Sequence, residues 1–222
     1  MKVGQDLILP GPAAVLKTLA ELSSDGDFWY TAFISLLRIF GGFAAGAVIG
    51  TVLAALTSCS GVLDTLISPI LKVIRAVPVA SFIIYLLLWV TRSLVPSVVT
   101  ALIVIPVMWQ TTRNAAEETD RDLLEMAGAY KFGRFKTLRY IYVPSILPMW
   151  KSAILTTMGL AWKSGVAAEV LCLPKQAIGT QLYYSKVYLE TPSLVAWTIV
   201  VIFLSFALEQ IFRFLMKGRE SV

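Results

Sequence analysis

Histidine is absent from this 222-residue chain, and cysteine occurs only twice. Without an imidazole there is no histidine general base, no Ser-His-Asp triad and no histidine-ligated metal. Cys59 and Cys172 are too few for a cysteine-rich metal site or a disulfide framework. No metal or other cofactor is expected. Charge is also scarce. Asp, Glu, Lys and Arg make up 15% of the residues, against about 25% in an average soluble domain. A soluble globule of this size has too much surface for so few charges. The G-x-x-x-x-G-K-[ST] phosphate loop is missing too, so no ATPase site is expected on this chain. Apolar side chains are what it has in excess, at 57% with a mean hydropathy of +0.76. These proportions exclude an ordinary cytosolic enzyme and predict a polytopic, all-α bundle in a lipid bilayer. The net charge of +5 is then a matter of membrane topology, not of nucleic-acid binding.

Five stretches are long and apolar enough to cross a hydrocarbon core of about 30 Å. They are residues 34–56, 67–90, 95–112, 149–171 and 194–216. The second carries Lys72 and Arg75 near its start and contains Pro69 and Pro78. This predicts an interfacial beginning and a kink or break near Pro78. Ahead of the spans, residues 7–22 include Pro10-Gly11-Pro12, and Val15, Leu16, Leu19 and Leu22 fall on one helical face. That segment is too short and too polar to span, and reads as an amphipathic helix at the membrane surface.

The one long polar segment lies between the third and fourth spans. With its flanks it holds seven basic residues: Arg113, Arg121, Lys131, Arg134, Lys136, Arg139 and Lys151. Placing it in the cytoplasm puts Lys72, Arg75, Arg213, Lys217 and Arg219 on the same side, and makes the C-terminus cytoplasmic. Five spans then leave Met1 outside, although the first residues carry no signal-peptide pattern. The expectation is that a further transmembrane helix precedes Met1 in the gene. The reading frame upstream tests it.

Within residues 113–148, acids crowd the first half: Glu117, Glu118, Asp120, Asp122 and Glu125. Bases crowd the second half. Acids near a helix N-terminus and bases near its C-terminus suit the macrodipole. Gly128 and Gly133 allow a turn between two short helices, and Pro144 and Pro148 are expected to reset the chain before the next span. Charge pattern alone also fits a plain solvated loop.

The spacing is more specific than the charge. Glu125, Ala127, Ile141, Val143 and Pro144 resemble the E-A-A-x3-G-x9-I-x-L-P signature of ABC importer permeases. Lys131 departs from it, standing where the family has Gly; Gly128 or Gly133 is then expected to supply the turn. Other pieces follow in order along the chain. Leu9-Pro10-Gly11-Pro12 resembles L-P-S-P. The run Ser35-Leu36-Leu37-Arg38, with Gly42-Phe43, resembles S-L-x-R-x-x-x-G-F. Arg75, Pro78 and Ala80 resemble R-x-x-P-x-A. Ala161-Trp162, with Val166-Ala167-Ala168-Glu169, resembles A-W-x-x-x-V-A-A-E. Together they are similar to the nitrate/sulfonate/taurine permeases.

The resemblance implies the transmembrane fold of a type I ABC importer and a place in the bacterial plasma membrane. It implies a homodimer, a dimer of ATP-binding subunits and an extracytoplasmic substrate-binding protein as partners. Segment 113–148 is then the coupling loop, carried by Glu117, Glu118, Asp122, Glu125, Ala127, Gly128, Lys131, Gly133, Arg134, Ile141 and Pro144. The chain itself has no catalytic residue. The implied substrate is a small anion such as a sulfonate, taurine or nitrate, although related permeases also carry thiamine-precursor pyrimidines.

Arg75, Pro78, Trp162, Lys163 and Glu169 are candidates for the translocation pathway. Lys163 lies about 21 Å into the fourth span at 1.5 Å per residue. A charge at that depth is a functional candidate by default. It attracts an anionic substrate, pairs with an acid on another helix, or snorkels outward. Glu169 is not placed to pair with it locally. Trp162 lines the pathway or packs. Arg38, at the outer end of the first span, reads as a snorkelling anchor. Gly42, Gly46 and Gly50 recur every four residues and predict a close helix–helix seam. The outer segment 173–192 carries Tyr183, Tyr184 and Tyr188, which suit an interface; by the resemblance they also face the binding protein.

Overall fold

The computed structural model of the chain describes residues 10–217. The first three residues of the expected surface helix, Leu9 of the Leu-Pro-Gly-Pro stretch, and the tail with Arg219 lie outside them. Among the described residues the regular structure is all helical. The order is α1 (Pro12–Ser23), α2 (Gly26–Cys59), α3 (Gly61–Ala76), α4 (Val79–Leu86), α5 (Val95–Glu117), α6 (Arg121–Ala129), α7 (Arg134–Thr137), a π segment (Leu138–Tyr142), α8 (Val143–Cys172), α9 (Ile178–Val187) and α10 (Thr191–Lys217).

Helix starts follow the local chemistry. Asp25 caps α2 by accepting from the Asp27 N–H at 3.1 Å. Ser60 ends α2 and caps α3, accepting from the Leu63 N–H at 3.5 Å. Asp120 caps α6 through the Asp122 N–H at 2.9 Å. Pro12, Pro96 and Pro144 occupy first turns, where a missing N–H costs nothing.

The centre of the bundle is α2 against α5 and α5 against α8. The glycine stripe explains how α2 and α5 approach. A Cβ on Gly42 would strike the Ser97 backbone, one on Gly46 would sit 2.9 Å from the Ala101 carbonyl oxygen, and one on Gly50 2.6 Å from that of Ile105. Three glycines four apart thus face three residues four apart, a backbone-to-backbone seam. Phe43, Val104, Met108, Ile154 and Met158 fill the core beside it. Gly165 of α8 leaves room for Ile39 of α2.

Three helices are long and apolar enough to cross a membrane: Gly26–Cys59, Val95–Glu117 and Thr191–Met216. At 34 residues, α2 is about 51 Å long at the standard rise, well beyond the expected 34–56. The stretch 67–90 differs from a simple span. It is split between α3 and α4, which are bent by 100°. The cause is Pro78, which cannot continue α3 and instead heads α4, with Val77 extended before it.

Two further expectations are corrected. Pro144 and Pro148 do not reset the chain: helix runs unbroken from Arg134 through the π segment to Cys172. Pro144 follows a π turn closed by the Val143 N–H on the Leu138 carbonyl. That widened turn relieves the clash a proline ring makes with the carbonyl four residues back. In α1, Val15 is buried but Leu16 is 64% exposed. The helix packs on α10 and α2 through the narrower face of Val15, Leu19 and Leu22.

Candidate functional site

The polar segment after α5 is built as a hairpin of two short helices. The sequence had placed the turn at a glycine. The structure places it at Lys131, whose φ of 53° is left-handed. Neither Gly128 nor Gly133 has positive φ; Gly128 is inside α6 and Gly133 heads α7. Around Lys131 the Phe132 N–H donates to the Ala127 carbonyl at 2.9 Å and the Lys131 N–H to the Gly128 carbonyl at 3.0 Å. This is the Schellman pattern, in which a left-handed residue satisfies the last helical carbonyls. The position where the resemblance asks for glycine therefore keeps glycine-like geometry with a lysine in it.

The hairpin has one anchored side. Ala127 is 3% exposed and Ile141 5%, so these two signature positions face the protein. Glu118, Asp122, Glu125, Arg134 and Pro144 are exposed. So are several large apolar side chains of the same segment, including Leu123, Met126, Tyr130, Phe135 and Tyr140. A solvated loop has no use for such a face, whereas a docking surface does.

Behind α6, Arg113 joins three elements. It pairs with Asp64 of α3, donates from Nε to Glu117 at 2.8 Å, and lies 5.6 Å from the centre of the Trp109 ring. Glu117 is therefore engaged within α5. A cavity of about 820 Å³ separates this cluster from α6 and the start of α8, with Arg121, Leu124, Tyr142 and Trp150 on its walls.

The pathway candidates are not brought together. Arg75 is exposed in the last turn of α3, on the rim of a small cavity with Val77 and Phe82, and Pro78 marks the bend. Trp162 is 1% exposed, and its indole N–H donates to the Val201 carbonyl of α10 at 3.0 Å; this is a packing position inside the chain. Lys163, beside it, points the other way. It is exposed and makes no ion pair among the described residues. Ser152, Thr156, Leu160, Lys163, Ala167 and Leu171 are all exposed, and their spacing makes one continuous uncovered face of α8.

Glu169 is fully buried, at 0% exposure. Arg38 Nη1 donates to its Oε1 at 2.9 Å, and the Ser35 hydroxyl donates to its Oε2 at 2.9 Å. The Gly179 N–H reaches the same Oε2 at 3.2 Å, and the Ile178 N–H donates to the Ser35 hydroxyl at 2.9 Å. Gly179 must be small, because a Cβ there would collide with Glu169 and come within 2.5 Å of the Val170 nitrogen. The reading of Arg38 as a snorkelling anchor is thereby corrected: its side chain is 9% exposed and pinned by a buried carboxylate. Sequence reasoning missed the pair, yet a signal existed. Opposite charges stand at the outer ends of two expected spans.

Comparison with known proteins follows this geometry. Residues 31–220 match the family described as Binding-protein-dependent transport system inner membrane component. The riboflavin transport system permease protein RibX of Chloroflexus aurantiacus is 25% identical over 187 residues, covering 83% of this chain and 69% of RibX. The nitrate import permease protein NrtB of Synechocystis is 26% identical over 180 residues, covering 76% of this chain and 65% of NrtB. The crystal structure of an amino acid ABC transporter superposes with a TM-score of 0.71 at 15% identity, over 96% of this chain and 99% of that one. At that identity the likeness is one of fold.

Proposed function

The chain belongs to the binding-protein-dependent transport system inner membrane components, and from that premise we propose that it is the permease subunit of an ATP-driven importer, working as a homodimer. The observation that carries this reading is the α6–α7 hairpin. It has a fixed inner side at Ala127 and Ile141, and exposed acids and apolar groups on its outer side. Such a rigid knob can be gripped by an ATP-binding subunit and moved as a body. Glu125 and Asp122 offer charge for docking, and Met126, Tyr130 and Phe135 offer apolar area. The continuous helix from Arg134 into α8 carries the displacement into the membrane. ATP-driven closure of the partner dimer then swings the bundle between inward and outward openings.

The substrate passes along the uncovered face of α8. Two copies related by a two-fold axis bring two Lys163 side chains to that pathway, and two unpaired cations there favour an anion. NrtB is named for nitrate import, which agrees with an anion. RibX is named for riboflavin, so the relatives do not fix the substrate.

Reconstitution with the cognate ATP-binding subunit tests the reading. Uptake is expected to require ATP and to stop when the ATPase is inactivated. Uptake that persists without the ATPase overturns it. Glu125→Lys is expected to leave ATPase turnover near wild type while lowering uptake at least tenfold; unchanged uptake by that variant removes Glu125 from docking.

A further inference from the structure

At the end of α2 remote from the coupling hairpin, the α1–α2 connection meets the α9–α10 connection around a cavity of about 500 Å³. Three carboxylates line it: Asp25, Asp27 and Glu190. No basic side chain does, and none of the three carboxylates forms an ion pair among the described residues. Like charges gathered without a counter-ion repel, and an incoming cation relieves this.

The walls suit a cation of a particular shape. Tyr184 and Tyr188 stack with ring centres 6.0 Å apart and planes 24° from parallel. Their faces offer a planar cation a surface. Phe28 and Trp197, 4.8 Å apart, close the inner side. Thr31 supplies an independent sign of a missing ligand. It is only 4% exposed and lines the cavity. The other buried threonines of α2, α5 and α8 apart from Thr112 bond a carbonyl of their own helix. Thr31 has no hydrogen-bond partner among the described residues.

We propose that this cavity is a docking socket for one basic side chain, arginine above all, presented by the extracytoplasmic binding protein. The proposal rests on the importer reading above for the side of the membrane and the existence of that partner. Guanidinium fits the donor and acceptor set. It forks between carboxylates, stacks on tyrosine, and donates to a hydroxyl. The socket adjoins α9, which the Arg38–Glu169 latch fixes to α2 and α8 through Gly179. A side chain seated there is thus linked to the two helices that carry the core.

The test uses the permease–ATPase complex in nanodiscs. Nα-acetyl-arginine amide is the probe, and its uncharged isostere Nα-acetyl-citrulline amide is the control, both read by tryptophan fluorescence. The variant combines Asp25→Asn, Asp27→Asn and Glu190→Gln. Asparagine still caps a helix, so α2 keeps its start, and circular dichroism checks this. The arginine probe is expected to saturate and the citrulline control not to, with saturation lost in the variant. The variant is also expected to raise at least tenfold the binding-protein concentration that half-maximally stimulates ATPase, with basal ATPase unchanged. Equal binding of the two probes, or binding that survives in the variant, overturns the socket. Probe binding with unaltered docking overturns the assigned occupant. If phosphatidylethanolamine vesicles also compete for the probe, the socket belongs to a lipid ammonium group. Failure of the importer reading is seen separately, as ATP-independent uptake, and leaves the probe arm readable.

Discussion

Lys131 holds a left-handed backbone without the freedom that glycine brings. A side chain in that region costs roughly 1–2 kcal/mol. Lys131→Gly is therefore expected to raise stability by about 1 kcal/mol, less the entropy glycine adds to the unfolded chain. Thermal unfolding in detergent checks the sign. A β-branched residue there is expected to lower the midpoint, because it tolerates positive φ worst. The Arg38–Glu169 pair gives a larger effect. Removing one partner leaves a buried charge uncompensated, at about 3–5 kcal/mol. Arg38→Ala is expected to lose most folded protein, measured as monodisperse yield. Ser35→Ala, which removes one hydrogen bond to the carboxylate and one from Ile178, is expected to cost about 1–3 kcal/mol.

The α2–α5 seam is a property of two elements together. Gly46 opposes the Ala101 carbonyl at a distance no side chain tolerates. Gly46→Leu is expected to push the helices apart and destabilise by more than the usual 1–3 kcal/mol of overpacking, because the obstacle is backbone and cannot rotate away. Gly41, one residue from the seam glycine Gly42, has open space where its Cβ would be, so Gly41→Ala is the matched control. Unfolding midpoints of the two should separate clearly; equal midpoints would remove the seam from the account. The α6–α7 hairpin shows how much of an element is legible locally. Its acidic cap at Asp120, its length and its two-helix form follow from charges and glycines in the sequence. Its turn residue does not, since only the closed hydrogen-bond pattern from Phe132 back to Ala127 requires Lys131 to take the unusual conformation.

Across the whole molecule, the uncovered face of α8 and the outer acid socket lie apart from the coupling hairpin, so each can be tested without disturbing the others. Lys163→Ala is expected to lower uptake of an anionic substrate at least tenfold while ATPase turnover persists, and Lys163→Arg to retain a substantial part. Proteoliposome uptake with nitrate, taurine and riboflavin as separate solutes checks both the charge requirement and the substrate class. Unchanged uptake by Lys163→Ala would place that lysine on a lipid-facing surface.

The sequence by itself determined the environment and most of the elements, because hydrophobic runs, caps and glycine spacing act over a few residues and leave a periodic trace. It also marked the coupling segment, whose spacing is short-range. Tertiary structure decided what depends on separation along the chain. Arg38 and Glu169 are 131 residues apart, and no local pattern says that they meet. The break between α3 and α4, the burial of Trp162 and the exposure of Lys163 on opposite sides of α8, and the socket between two helix connections all arise from packing. Packing fixes which face of each helix is covered, and it is the uncovered faces that carry the proposed function.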